Sequence, residues 1–396
     1  MKIAKAEYIY LQGSFIEGYG FVFDQKIIDV APFETLVKNY PNCEILDFKD
    51  QIIMPGLVNV HQHLEFSANK TTLSYGAFMP WLDSVIQNRE MLAEQCSDEL
   101  MQQQLRNQLR CGTTTIGEIS SSGADLNACA SAKQRVVFFN ELIGSNPAAV
   151  DALYADFNAR LYASKRYASD KFYPALAIHS PYSVHPVLLK KALLQAKEER
   201  LKVSAHFLES QDEYDWLKNS NGGFLSFFEK FFGLSKALNS ADEFLNAFDA
   251  PTIFTHCNYA NDAQKALLQK HFVAHCPVSN RLLGSKKLDI KAFDNLCLAT
   301  DGLSSNISLS LFDEMRAALF VHEEYDLEPL CNKLLQAVTT NAAQALNLPV
   351  GAIEKERFAD FIVLSNAAKN KAPLASQLIL HTKKANEVYV SGKKEI

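Results

Sequence analysis

No run of the roughly 18 apolar residues that a bilayer-spanning helix needs occurs in this chain. Its start, Met1 to Tyr8, lacks the long apolar segment of a secretory signal. Paired C-x-x-C spacings are also missing. The eight cysteines are scattered, which reads as reduced and mostly buried thiols in a cytoplasmic protein rather than a disulfide framework. Basic residues are in no excess: 39 Lys and Arg stand against 45 Asp and Glu, a net charge of -6. That balance gives no reason to expect nucleic acid or an anionic membrane as partner. Repeats, low-complexity blocks and basic tracts are absent too. What remains is 396 residues, 48% hydrophobic and 21% charged, enough for a large core in a globular protein. Length alone suggests two or three domains, although α/β barrels run this long as one.

The two ends of the chain share one character. Residues 1–53 carry short strand signals at Ala6–Leu11, Gly20–Phe23, Lys26–Val30 and Glu44–Phe48, with Gly and Pro turns between. Strands this short need partners. Residues 351–396 supply candidates at Ala359–Leu364, Leu378–His381 and Glu387–Gly392. The expectation is a small β-sandwich built from both termini.

Residues 54–350 change to apolar strands alternating with helices. Strand candidates are Leu57–His61, Thr113–Glu118, Val136–Leu142, Tyr173–His179, Leu201–His206, Thr252–His256, Phe272–His275 and Leu296–Asp301. Eight such units predict an α/β fold, a (β/α)₈ TIM-type barrel. Two connections are long: 64–89, rich in aromatics, and 210–250, with Gly222-Gly223-Phe224 and Phe227-Phe228. Both are expected to cover substrate.

The run Met54-Pro-Gly-Leu-Val-Asn-Val-His61-Gln-His63 ends an apolar strand in two histidines that project to one face. His206, His256 and Asp301 each end another such strand. A lone histidine at a strand end is more often a hydrogen-bonding residue than a ligand, and a lone Asp before Gly is usually a turn residue. Gathered at the same end of one barrel, where barrel enzymes keep their chemistry, they read as a metal site. Three imidazoles and a carboxylate suit zinc or ferrous iron.

The ordered set His61-x-His63, His179-Ser-Pro-Tyr182, His206-x-x-Glu209, Thr255-His256, His275-Cys-Pro-x-Ser-Asn280 and Ala299-Thr-Asp301-Gly resembles the amidohydrolase superfamily. Its metal-dependent aminohydrolase branch, with adenosine, guanine and S-adenosylhomocysteine deaminases and triazine hydrolases, is the nearer match. The resemblance covers nearly the whole chain and implies a barrel with a β-sandwich from both termini. It further implies one divalent ion, Zn²⁺ or Fe²⁺, per subunit, ligated by His61, His63, His206 and Asp301. His179, rather than a lysine, ends the fourth strand, which argues for a single metal. The same resemblance makes Asp301 the acceptor of a water proton, His256 the group that orients that water, and Glu209 the acid that protonates a purine ring nitrogen. Because the family often associates, a homo-oligomer is a further expectation.

The implied substrate is a small purine nucleoside. Trp81, Glu90 and His179 stand where S-adenosylhomocysteine-type deaminases hold it, although the third strand ends in Asn140-Glu141-Leu142 without their arginine. His61-Gln-His63-Leu-Glu65-Phe-Ser resembles the corresponding segment of bacterial aminofutalosine deaminases, which act toward menaquinone. That branch adds Glu65 to the substrate set and wants a cation for a benzoate arm: Arg281, with Arg89 second. Adenosine, 5′-methylthioadenosine, S-adenosylhomocysteine and guanine deamination and triazine hydrolysis are the alternatives. A metal-free binding scaffold is a further alternative, against which stands the presence of every ligand candidate.

Overall fold

In the computed structural model, residues 1–69, 71–366 and 373–396 are described. Lys70, in the 64–89 connection, and 367–372, in the C-terminal segment, lie outside them. Eight parallel strands, from Leu57–Gln62 through Leu296–Leu298, pair each with the next in sequence order. Closure between the eighth and the first rests on Asn59 and the chain just past the eighth strand. Thr300 N–H donates to Asn59 Oδ1 at 3.2 Å, and Asp301 N–H donates to the His61 carbonyl at 3.1 Å. Val137 and Phe139 share a strand face with Glu141, and Ala175 and Ala177 share one with His179, because side chains alternate. Val137, Phe139, Ala175 and Ala177 join one buried cluster with Ile253 and Ala274. The apolar floor therefore ends in polar groups at one mouth, where the metal candidates stand.

Helices surround the barrel. Asp98–Arg110 starts on Ser97, whose hydroxyl accepts from Leu100 N–H, and Pro186–Glu199 starts with Pro at its first position. The long connections are largely helical. The first contains Phe78–Gln95; the second contains Gln211–Asn219, Gly223–Phe232 and Ala241–Asn246. Phe224 and Phe228 are buried, and Phe224 packs on Tyr182 with ring centroids 4.4 Å apart.

Both termini build one eight-stranded sheet, in which Lys2–Leu11 pairs in parallel with Glu44–Pro55, and Phe361–Ser365 pairs antiparallel with the latter. One expectation is corrected. Leu378–His381 is the end of a helix, Leu374–His381, not a strand. Ala375, Leu378 and Ile379 fall on one helical face and pack among the barrel helices, and Arg316 Nη1 donates to the Ile379 and Thr382 carbonyls. Read alone, its apolar run has no period long enough to distinguish helix from strand. Among the described residues no helix is long and apolar enough to cross a membrane.

Candidate active site

Nitrogen and oxygen atoms converge at the C-terminal ends of the barrel strands. His61 Nε2 lies 3.2 Å from His63 Nε2, and Asp301 Oδ1 lies 3.7 Å and 3.5 Å from them. His206 completes the group, with one donor atom each from His61, His63 and His206 within 4.8 Å of one another. Tetrahedral ligands about 2.1 Å from a cation stand roughly 3.4 Å apart, so these separations fit a zinc-like ion.

Outer hydrogen bonds set which nitrogen is bare. His206 Nδ1–H donates to the His179 carbonyl at 2.7 Å, leaving the Nε2 lone pair free. Thr255 Oγ1 lies 3.1 Å from His61 Nδ1 and holds that ring the same way. Two imidazole nitrogens facing each other at 3.2 Å, both able to present lone pairs, are the arrangement a cation resolves. Burial drives His63 down to about 3 and His206 well below its ordinary value, in each case helped by neighbouring histidines. His63 and His206 are thus neutral near pH 7, as ligands must be.

Asp301 is fixed on both oxygens. Ser279 and Ser305 hydroxyls donate to Oδ2 at 2.7 and 2.9 Å, and Gly302 N–H donates to Oδ1 at 2.8 Å. Burial alone would raise its pKa, but the bond with His61 and the adjacent His63 and His256 hold it well below the carboxylate range. Asp301 and His256 both have left-handed backbone, φ 58° and 75°, a strained geometry for residues with side chains.

Beside them, Glu209 Oε1 lies 3.5 Å from His256 Nε2. Burial, then the charges of Asp301 and Glu213, push Glu209 well above the usual carboxylate range, which favours its protonated form. His256 Nδ1–H donates to Asn280 Oδ1 at 2.8 Å, and burial lowers this histidine to about 4. One wall of the site thus holds an ionised carboxylate, one that favours its proton and a neutral imidazole with its lone pair inward.

The expected substrate residues divide. His179 stands in the cluster, its ring 5.1 Å from that of His206, with Nδ1 held by Ser183 Oγ at 2.6 Å. Trp81 anchors the first connection, donating from Nε1 to the Ser304 carbonyl at 2.9 Å. Glu65 is occupied elsewhere: its oxygens accept from the N–H groups of Ser121, Ser122 and Ala124, bracing the turn after the second strand. Glu90, Arg89 and Arg281 are exposed. Sequence reasoning overlooked Glu141, which ends the third strand. It is buried, raised by that burial to about 7, and 3.8 Å from His206 Nδ1. The signal is the one that marks His206, a polar residue near the end of an apolar strand.

Known proteins resemble this chain over its whole length. An aminodeoxyfutalosine deaminase of Nitratiruptor sp. is 40% identical over 403 residues, covering 100% of both chains. The crystal structure of Helicobacter pylori aminofutalosine deaminase in complex with methylthio-coformycin superposes with a TM-score of 0.93 at 33% identity, covering 100% of each chain. A Xanthomonas campestris adenosine deaminase with bound zinc has a TM-score of 0.83 at 21% identity, covering 100% of this chain and 92% of its own, a likeness of fold. The family model described as the amidohydrolase family matches residues 52–394, and the chain belongs to that family.

Proposed function

We propose that this protein is a metal-dependent hydrolytic deaminase that converts aminodeoxyfutalosine and water to futalosine and ammonia, a step toward menaquinone. The observation that carries the reading is full-length likeness, at 40% identity, to a protein named for that substrate. Support for the chemistry comes from the site. His61, His63, His206 and Asp301 would hold one divalent cation, zinc or ferrous iron, which when bound makes a water acidic enough to attack near neutral pH. Asp301, ionised and fixed by Ser279 and Ser305, accepts the proton of the attacking water. His256 offers its Nε2 lone pair to that water's remaining O–H and so aims it at the purine C6. Glu209 gives its proton to the adjacent ring nitrogen, making C6 electrophilic. A C6–O bond forms and the C6–N bond breaks; the proton held by Asp301 leaves with ammonia, and the proton left on the C6 hydroxyl passes through His256 Nε2 to Glu209 Oε1, 3.5 Å away, as the C6 carbonyl forms. Each such proton-transfer group contributes perhaps ~10²–10⁴-fold.

Ammonia release tests the proposal, with metal-loaded protein offered aminodeoxyfutalosine, adenosine, 5′-methylthioadenosine, S-adenosylhomocysteine and guanine side by side. Strong preference for the first supports it. Equal turnover of all adenine nucleosides keeps the mechanism and discards the substrate, and silence on every compound by protein with one ion bound discards both.

A further inference from the structure

A hydrogen-bonded path leads from His256 out of the site and through the barrel wall. Asn280 Oδ1 accepts from His256 Nδ1–H at 2.8 Å. On the other side of the same amide, Nδ2 donates to Asn258 Oδ1 at 3.0 Å and faces His275 Nδ1 at 3.4 Å. Asn258 Nδ2 in turn donates to the Glu209 carbonyl at 3.3 Å, which fixes which end of Asn258 is oxygen. His275 Nε2 then lies 3.0 Å from Nε2 of His322, the residue that caps helix Leu311–Val321 outside the barrel. All of these side chains are buried.

Only one placement of protons satisfies the path in this direction. Asn280 presents an N–H to His275 Nδ1, so that nitrogen is bare and His275 carries its proton on Nε2. His322 must then accept at Nε2 and carry its own proton on Nδ1. That Nδ1 is buried and has no partner among the described residues. An unpaired buried donor costs about 1–3 kcal/mol. The fold keeps this one at the end of a path that begins at His256.

We propose that His322 is a positioning residue for His256, acting by accepting the Nε2–H of His275 and thereby fixing which way the Asn280 amide faces. The inference rests on the reading of His256 as the group that aims the attacking water. Without an acceptor at His322, His275 is free to move its proton to Nδ1, where it meets the Asn280 N–H donor to donor. The amide relieves that clash by turning over, and Asn258 turns with it, giving up its bond to the Glu209 carbonyl. Its NH₂ then faces His256 Nδ1, the His256 proton moves to Nε2, and the lone pair that aims the water is gone. His322 itself is neutral near pH 7, since burial lowers it to about 4 despite the nearby Glu324.

Histidine-selective ¹⁵N spectra of the wild-type protein read these tautomers without any substitution. His256 protonated on Nδ1 and His275 on Nε2 is the expected result, and a proton on His275 Nδ1 overturns the inference. His322→Phe should lower kcat about tenfold with KM nearly unchanged, the low end of what losing an outer partner costs. His322→Gln, whose amide oxygen can accept from His275, should recover most of that loss. Full kcat in His322→Phe, or equal impairment of both variants, overturns it. His256→Gln is run in parallel: full activity there would instead sink the role given to His256.

Discussion

Glu213 accepts the backbone N–H groups of both Leu208 and Glu209, at 3.0 and 2.8 Å, so one buried carboxyl pins the chain at the base of another. Glu209 is thereby held toward His256, while its burial and its two acidic neighbours raise its pKa and favour the protonated form. Glu209→Gln preserves size but removes the transferable proton. Its kcat should fall ~10²–10⁴-fold, the range for a general acid, with metal content unchanged. Retained activity at pH 7 would show that the ring nitrogen finds its proton elsewhere.

Zinc or ferrous iron added to metal-free protein should raise the thermal midpoint. A ligand at 100 times its Kd adds about 2.7 kcal/mol if it binds only the folded state. The convergence of His61, His63 and Asp301 within 3.2–3.7 Å predicts this rise. His206→Ala should abolish most of it, because its bare Nε2 belongs to the same cluster. An equal rise in wild type and variant would place the ion elsewhere.

Much of this was legible in the sequence. The eight barrel strands follow from apolar runs, and His61, His63, His206, His256 and Asp301 declare themselves by closing those runs. What escaped depends on contacts between distant segments. Nothing local says that Glu65 will spend its oxygens on the turn at 121–124, or that Asn280 and Thr255 will choose the tautomers of His256 and His61. The helix at Leu374–His381 was hidden for a related reason: its buried face is defined by barrel helices far away in sequence.

Glu314 lies under the loop that follows the eighth strand, accepting from the Asn306 amide and from Val278 N–H. Burial pushes its carboxyl up to about 8, against 4.5 for an ordinary glutamate. The folded state therefore binds this proton more tightly than the unfolded state. The resulting stability is complete below the unfolded value and is lost as pH rises through about 8. Glu314→Gln cannot titrate, so its stability relative to wild type should climb by about 1.4 kcal/mol per pH unit across that window. Urea unfolding from pH 5 to 9 checks the slope. Parallel curves for the two proteins would mean that Glu314 stays ionised in the fold.

Arg135 joins the barrel to the terminal sheet. Its Nε and Nη2 pair with Asp360 at 3.1 and 3.2 Å, and its guanidinium carbon lies 3.6 Å from the Phe358 ring centroid. Both side chains are fully buried. Arg135→Met leaves the Asp360 charge without its partner and should cost about 3–5 kcal/mol. Adding Asp360→Asn should cost less than the two changes summed, since the second removes the stranded charge. Additive losses in urea unfolding would show that the pair contributes as two separate packing residues.

Arg281 is exposed on the short helix Pro277–Leu282, and its guanidinium makes no hydrogen bond or ion pair to any described residue. The helix follows directly on His275 and Cys276, and its Leu282 carbonyl accepts from Gly76 N–H at 2.7 Å, so it borders the first long connection. An unpaired guanidinium there suits the carboxylate of a substrate arm. Exposed ion pairs are worth up to about 1 kcal/mol, so Arg281→Met should raise KM for aminodeoxyfutalosine about fivefold. Because adenosine has no carboxylate, its KM should not move, and kcat on either compound should hold. An equal rise for both nucleosides would mean that Arg281 shapes the mouth of the site without reading the arm, and would return Arg89 as the candidate cation.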